Sequence, residues 1–433
     1  MQSIDDDTDT SLTSSVGNWR AWMNSQHVEL AAEILLIAAL TLIYVGSYRL
    51  ESPVNGMGAV EELFGQDSRY ILRALQLDIQ YEWNARNHVL HHWLSERGFH
   101  IWRALFGGGL LSAFAFSKAF SAATGALFLT MFRQLCVDCG WRAFDRCSLL
   151  VFAGLSASTW FHFAAFETWS LTLAPLLTFA WALRRRVRLG DQSLFNHCLL
   201  IGSCVLMLWA RTDQWRAPFA VGLLTLLPSL RALRRGLYLD LVAIGVLAPL
   251  GLAFLISDYL GVDWASGART MLERKDFAEL QPYLMQWDNL RPHVLWRCLR
   301  ADGLYALLAP LDDGAVPFGA NTRAFWQEPR TLPALLAVTA FLVTTFLLTA
   351  RRVVAKDAYQ MALAFCWIAG WLFYAWFDPH EPFLWTVHFA VLTFAAFADS
   401  GPELGPRVRI PLGALAVLTA CHNAVYLIAR YQA

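Results

Sequence analysis

The chain has 433 residues, of which 57% are hydrophobic and only 16% are charged, and its mean hydropathy is +0.40. Charged residues make up about a quarter of a typical soluble globular protein, so the composition excludes that class and predicts a polytopic membrane protein. The 34 basic and 34 acidic residues cancel, so no overall field favours a nucleic acid partner.

Apolar runs of the length needed to cross a bilayer recur along the chain and predict an all-α transmembrane bundle of about eleven spans. We place the spans at 28–48, 108–132, 147–165, 168–183, 197–211, 215–230, 238–258, 332–350, 358–376, 383–398 and 410–429. The predicted organisation is an acidic cytoplasmic tail (1–27), an N-terminal transmembrane module (28–260) with a first outside loop (50–106), an extracytoplasmic loop (261–331) and C-terminal transmembrane helices (332–433).

Basic residues collect on alternate short loops, which by the positive-inside rule lie in the cytoplasm. They are Arg133, Arg142 and Arg146; Arg184, Arg185, Arg186 and Arg188; Arg231, Arg234 and Arg235; Arg351, Arg352 and Lys356; and Arg407 and Arg409. This pattern predicts a cytoplasmic N-terminus and places any chemistry on the opposite face. It is compatible with a multi-pass protein of a bacterial inner (plasma) membrane, surrounded by membrane lipids.

The first outside loop concentrates polar residues that are unusual in a membrane protein. Residues 60–75 have the spacing of an amphipathic helix lying in the interface, with Asp67 on its apolar side. A second helix is predicted at about 81–94. The other candidates in this loop are Arg69, Glu82, Arg86, Asn87 and His88.

Further candidates follow at the outside ends of later spans, where an ionisable residue is a functional candidate by default. They are Glu167, in a short turn between two spans, Arg211 and Asp213, in a hairpin with Arg216, and His380 and Glu381, before a late span. Roles without function also remain open for several of these residues. Asp67 could be a solvated carboxylate, Arg211 and Asp213 a structural salt bridge, and His380 and Glu381 interfacial residues.

Four segments resemble motifs of the GT-C superfamily of integral membrane glycosyltransferases, which are mannosyltransferase-like enzymes dependent on polyprenyl-phosphate sugars. They are Asp67 on a juxtamembrane helix, Asn87-His88-Val89-Leu90, Phe166-Glu167-Thr168-Trp169-Ser170-Leu171, and Asp378-Pro379-His380-Glu381-Pro382. The chain departs from the family pattern at Asp67-Ser68, where an acidic pair is usual.

The resemblance implies transfer of a sugar from a polyprenyl-phosphate donor to an extracytoplasmic acceptor that the sequence leaves open. Asp67 would be the catalytic base, and the other candidates would bind substrate. Arginines such as Arg211 and Arg216, or a divalent cation (Mg or Mn), would stabilise the leaving phosphate. Two alternatives remain: a lipid-linked glycan polymerase or ligase that uses the 261–330 loop, and a lipid or solute transporter.

Overall fold

The structure is a computed structural model that describes residues 9–47, 88–164, 169–211, 214–272, 287–300, 303–304, 306–309, 331–377 and 382–432. These ranges are predominantly helical and contain no strand, which confirms the predicted all-α class. The helices are α1 (Asp9–Ser47), α2 (Val89–Phe106), α3 (Leu110–Asp138), α4 (Ala143–Gly154), α5 (Ala157–Ala164), α6 (Ser170–Arg188), α7 (Leu194–Ala210), α8 (Arg216–Thr225), α9 (Arg234–Leu260), α10 (Trp264–Leu272), α11 (Pro292–Arg300), α12 (Leu332–Val354), α13 (Ala358–Phe377), α14 (Pro382–Ser400) and α15 (Arg409–Gln432).

Each predicted span coincides with one of these helices or with the bent pair α4–α5. Within the described ranges, five helices could cross a membrane by length and composition: 27–47, 111–138, 234–260, 332–354 and 358–376. The α4–α5 pair, bent by 66°, would be a sixth. The chain is therefore a multi-pass membrane protein, and the count of eleven spans stays a prediction.

Local signals explain several helix boundaries. Ser193 caps α7 by accepting a hydrogen bond from the Asn196 amide, and Gly261 ends α9 in the left-handed conformation, with φ at 64°. In the first predicted loop, the described helix runs from Val89 to Phe106 and overlaps the last part of the expected helix at 81–94, whose residues 81–87 lie outside the described ranges. The predicted helix at 60–75 lies outside the described residues.

One end of the bundle is held together by Asp399, at the end of α14. Its carboxylate accepts hydrogen bonds from Arg184 at 2.8 Å, Arg188 at 2.8 Å and Arg352 at 3.0 Å. Gln360 adds a fourth hydrogen bond at 2.9 Å. Asp399 therefore joins the ends of α6, α12, α13 and α14, and we call this the arginine end.

Other charges near the arginine-rich loops are also neutralised inside the protein. Glu33 of α1 is fully buried and pairs with Arg133 at 2.5 Å and Arg146 at 2.6 Å. Arg186 and Asp240, both fully buried, pair at 2.9 Å. Buried ions need such partners because desolvation costs several kcal/mol per ion. These arginines therefore join helices as well as carrying the topology signal.

The connectivity places a second cluster at the opposite end. Helix α6 runs from Ser170 to Arg188, and α13 and α14 likewise have one end at the Asp399 cluster. The far ends of these helices carry Trp169, Tyr374 and His388, with Arg211 following α7. We call this the site end.

The break between α4 and α5 is sealed by a distant part of the chain. The amides of Ala157 and Ser158 donate to the carbonyls of Leu307 and Ala306, both at 3.1 Å. Asn423 of α15 donates to the carbonyls of Leu155 at 2.7 Å and Leu307 at 2.9 Å. Backbone groups freed by a bent helix must find partners in an apolar bundle, and these contacts provide them.

Replacing Asp399 by Asn should destabilise the bundle by about 3 kcal/mol or more, because three arginines would lose a buried counter-charge. Thermal unfolding of the purified protein in nanodiscs measures the loss. Glu403→Gln is the matched control, since Glu403 also pairs with Arg352 but its side chain is 49% exposed, and we expect little effect. Equal unfolding temperatures for Asp399→Asn and wild type would contradict the assignment of Asp399 as the organising ion.

Candidate functional site

Arg211 is the centre of the site end. It leaves α7 in an extended conformation, with φ at −153° and ψ at 117°, and is only 8% exposed. Its guanidinium carbon lies 3.2 Å from the centroid of the Trp169 ring, at the start of α6. A cation over an aromatic face is attracted by the ring quadrupole, and the attraction grows as water is removed. Trp169 therefore fixes the plane of this guanidinium.

His88 brings the start of α2 to Arg211. It is 7% exposed, immediately precedes α2 and hydrogen-bonds to the backbone of Ala210, the residue before Arg211. Burial, followed by the positive charge of Arg211, holds the pKa of His88 well below its usual value. His88 is therefore neutral near pH 7.

Helix α2 is anchored against α9. Trp93 Nε1 and Arg97 Nη2 each donate to the Asp258 carboxylate at 2.7 Å. This contact presses the buried face of α2, with His91 and His92, against the bundle, where the His92 ring lies 6.0 Å from that of Tyr259. Burial lowers the pKa of His92 to about 4 and the pKa of His91 well below its usual value.

An aromatic group packs behind Trp169. The His388 ring lies 4.6 Å from Trp169, and the Tyr374 ring lies 6.1 Å from Trp169 and parallel to His388 at 6.5 Å. His388 Nε2 contacts the Thr172 hydroxyl at 2.9 Å. His162 is fully buried on α5, which packs against α14. The site therefore draws on α2, α5, α6, α7, α13 and α14.

A second buried arginine contacts this aromatic group at Tyr374. Arg216, at the start of α8, is 2% exposed, and its guanidinium carbon lies 5.3 Å from the Tyr374 ring. Its Nη2 donates to Gln214 Oε1 at 3.1 Å, and Gln214 donates in turn to the Tyr374 hydroxyl at 3.2 Å. Two buried guanidinium groups thus contact the aromatic group.

Of the sequence-predicted site residues, the structure brings His88 and Arg211 together. The other nine lie outside the described residues, and their roles stay predictions: Asp67, Arg69, Glu82, Arg86, Asn87, Glu167, Asp213, His380 and Glu381. The described site is rich in imidazole and guanidinium groups. The described ranges hold no group of three or more His, Cys, Asp or Glu residues that could bind a metal ion. These side chains fit an anion better than a hard cation such as Mg²⁺.

Two buried histidines of this region, His162 and His388, are not among the residues that the sequence singles out. Both lie within predicted apolar spans, at 147–165 and 383–398. An imidazole inside such a run was the available signal, because polar residues in spans are costly and usually face a protein interior. Trp169 lies in the motif at 166–171, but the sequence alone gives its ring no role.

Known proteins match the chain through its fold. No protein-family model matches the sequence, and no curated protein matches it significantly. The structure is similar to that of the apo oligosaccharyltransferase of Archaeoglobus fulgidus, with a TM-score of 0.51 and 14% identity over 92% of this chain. This chain spans 56% of that protein's length.

A second similar structure is ArnT of Cupriavidus metallidurans bound to undecaprenyl phosphate, with a TM-score of 0.46 and 13% identity, covering 92% of this chain and 71% of ArnT. Both neighbours are membrane glycosyltransferases of the GT-C superfamily. The likeness to the oligosaccharyltransferase confirms that the chain has a GT-C-like fold.

Acidification should destabilise the protein through its buried histidines. The folded pKa of His92, about 4, lies below its usual 6.5, so its contribution is fully present above pH 6.5 and is lost as the pH falls toward 4. Unfolding temperatures measured between about pH 7.5 and about pH 5 should fall less steeply for His92→Gln than for wild type. His100→Gln, a more exposed position on α2, is the control. Identical pH slopes for His92→Gln and wild type would refute this prediction.

Proposed function

We propose that this protein is an integral membrane glycosyltransferase that moves a sugar from a polyprenyl-phosphate donor to an extracytoplasmic acceptor. One observation carries the proposal: Arg211 is buried at the site end and held 3.2 Å over Trp169, beside His88, within a GT-C-like fold. A fixed guanidinium in a water-poor site suits a ligand whose negative charge grows during the reaction.

The phosphate of the donor supplies that charge. When the bond between the anomeric carbon and the phosphate oxygen breaks, the leaving polyprenyl phosphate gains a negative charge. Guanidinium offers two parallel N–H donors that match phosphate geometry, which lysine does not. Because Trp169 already orients Arg211, little reorganisation is needed as the charge develops, and this is the condition for strong electrostatic stabilisation.

In the proposed mechanism, Asp67 takes the proton of the acceptor hydroxyl. The acceptor oxygen then forms a bond to the anomeric carbon, and the electron pair of the broken bond leaves with the phosphate. Asn87 and His88 shape the surroundings of Asp67, and Glu167 and Asp213 flank Trp169 and Arg211 in sequence. Further substrate contacts are proposed for Arg69, Glu82, Arg86, His380 and Glu381. A divalent cation (Mg or Mn) held by Asp67 would add positive charge at the phosphate.

We also propose that the N-terminus is cytoplasmic and that the site end faces the outside of a bacterial inner membrane, toward the cell envelope. Arginines near the C-terminal ends of α6 and α12 meet at Asp399, which supports placing the loops that follow these helices on one side. The positive-inside rule makes that side the cytoplasm.

Replacing Arg211 by Lys should lower kcat for release of polyprenyl phosphate by about 10²-fold, since charge would remain but the bidentate, stacked geometry would be lost. Purified protein in nanodiscs, supplied with a panel of polyprenyl-phosphate hexoses, provides the assay. Arg291→Lys is the matched control because that side chain is 60% exposed. Wild-type kcat in Arg211→Lys would remove Arg211 from the reaction.

Replacing Asp67 by Asn should lower kcat by about 10²-fold or more while leaving donor binding unchanged, because the amide cannot accept the proton. Turnover and donor affinity are measured separately on protein of equal expression and unfolding temperature. Ser68→Ala, at the neighbouring position, is the control. Full transfer by Asp67→Asn would eliminate Asp67 as the base.

A further inference from the structure

Arg216 carries a buried positive charge that its described surroundings do not satisfy. Nη2 donates to Gln214, but Nε and Nη1 have no hydrogen-bond partner among the described residues. Burying an ionised group costs several kcal/mol unless it is paired and hydrogen-bonded. Two N–H groups of one guanidinium are therefore available to an anion.

The fold makes room for this guanidinium. A Cβ at Gly370 of α13 would lie only 1.8 Å from Arg216 Nη1, so a side chain other than hydrogen at this position would displace the group. The rings of Tyr374 and Phe389 flank the guanidinium carbon at 5.3 and 5.7 Å. Arg216 is thus held in a defined place by α13 and α14.

His388 offers the complementary hydrogen-bonding group. The Thr172 hydroxyl has one proton, which it donates to the Trp169 carbonyl at 2.7 Å. The 2.9 Å contact between Thr172 and His388 Nε2 therefore requires the proton of that bond to be on Nε2. In neutral imidazole, Nδ1 is then an acceptor. Nδ1 is buried and has no hydrogen-bond partner among the described residues.

Both groups border the Tyr374 ring. The His388 ring is parallel to it at 6.5 Å, and the Arg216 guanidinium carbon lies 5.3 Å from its centroid. The same guanidinium carbon lies 5.7 Å from the ring of Phe389, the residue that follows His388 in α14. The nitrogens of Arg216 and His388 that lack a partner in the described ranges therefore belong to side chains that surround one aromatic ring.

We propose that Arg216 and His388 form a subsite for an acidic sugar, in which Arg216 binds a carboxylate or phosphate ester and His388 Nδ1 accepts a hydrogen bond from a neighbouring hydroxyl. This subsite rests on the proposed function, because that function is what makes the ligand a sugar. It adds that the sugar carries a negative charge.

Binding of soluble sugars to the full-length protein in nanodiscs tests the subsite without requiring transfer. Glucuronate and glucose are a matched pair that differ in the carboxylate, and glucose 6-phosphate replaces the carboxylate by a phosphate ester. Dissociation constants come from saturation-transfer NMR and from the rise in unfolding temperature with ligand concentration. We expect at least one acidic sugar to bind about tenfold more tightly than glucose, as a charge-assisted contact predicts.

Variants at Arg216 should remove this preference. Arg216→Gln should bind the acidic sugar no better than glucose, while Arg216→Lys should retain part of the preference. Gly370→Ala keeps the arginine but displaces Nη1, so it should weaken acidic sugars about as much as Arg216→Lys does. The unfolding temperature without ligand shows whether each variant is folded. If Arg216→Gln does not fold, Gly370→Ala still tests the role of the Arg216 guanidinium.

Two variants at His388 separate its nitrogens. The amide of Asn reaches the position of Nδ1, and the longer Gln reaches that of Nε2. His388→Asn should therefore retain more sugar affinity than His388→Gln, whereas a purely structural role through Thr172 would give the reverse order.

Several results would overturn the subsite. They are equal binding of glucuronate, glucose 6-phosphate and glucose, no binding of any of them, or an unchanged preference in Arg216→Gln.

Loss of polyprenyl-phosphate binding in Arg216→Gln, with sugar binding intact, would assign Arg216 to the donor instead. Strong stability coupling between Arg216→Gln and Asp213→Asn in a double-mutant cycle would make Arg216 a structural ion. Absence of transfer by the wild-type protein from every polyprenyl-phosphate hexose tested would refute the proposed function and leave these sugar affinities unchanged.

Discussion

The bundle depends on one constraint: a charge buried among apolar helices must be neutralised by another part of the same protein. Asp399 meets it most completely, because its carboxylate binds arginines from α6 and α12 and the Gln360 amide of α13. Glu33 does the same for α3 and α4 through Arg133 and Arg146. Since each of these ions would be strongly destabilising alone, the helices that supply them are held in one arrangement.

The same constraint gives the opposite end a different character. There, Arg216 lies against the rings of Tyr374 and Phe389 and donates to the Gln214 amide oxygen. Aromatic faces hold a guanidinium in place but leave its charge largely intact. One end thus uses arginine to close the structure, and the other holds Arg216 in a form that still attracts an anion.

The sequence allowed the fold class and the helix positions to be predicted, because span length and hydropathy are local properties. It also allowed His88 and Arg211 to be proposed for one site, and the structure brings them together. The bend between α4 and α5 could not be predicted, since 147–165 reads as one apolar run and the groups that seal the bend come from Leu307 and Asn423. His162 and His388 were hidden in the same way, because averaging over a span conceals a single imidazole.

The seal at the bend sets an order on assembly. Leu155 precedes Asn423 by 268 positions, so the carbonyl at the bend is made long before the amide that satisfies it. Until α15 enters the bundle, this carbonyl and that of Leu307 lack the Asn423 donor, and the Ala309 amide lacks its Asn423 acceptor. Insertion of α15 therefore completes both the bent helix and the segment at 306–309. A nascent chain without α15 still exposes this junction, and quality control in the membrane could distinguish the two states by it.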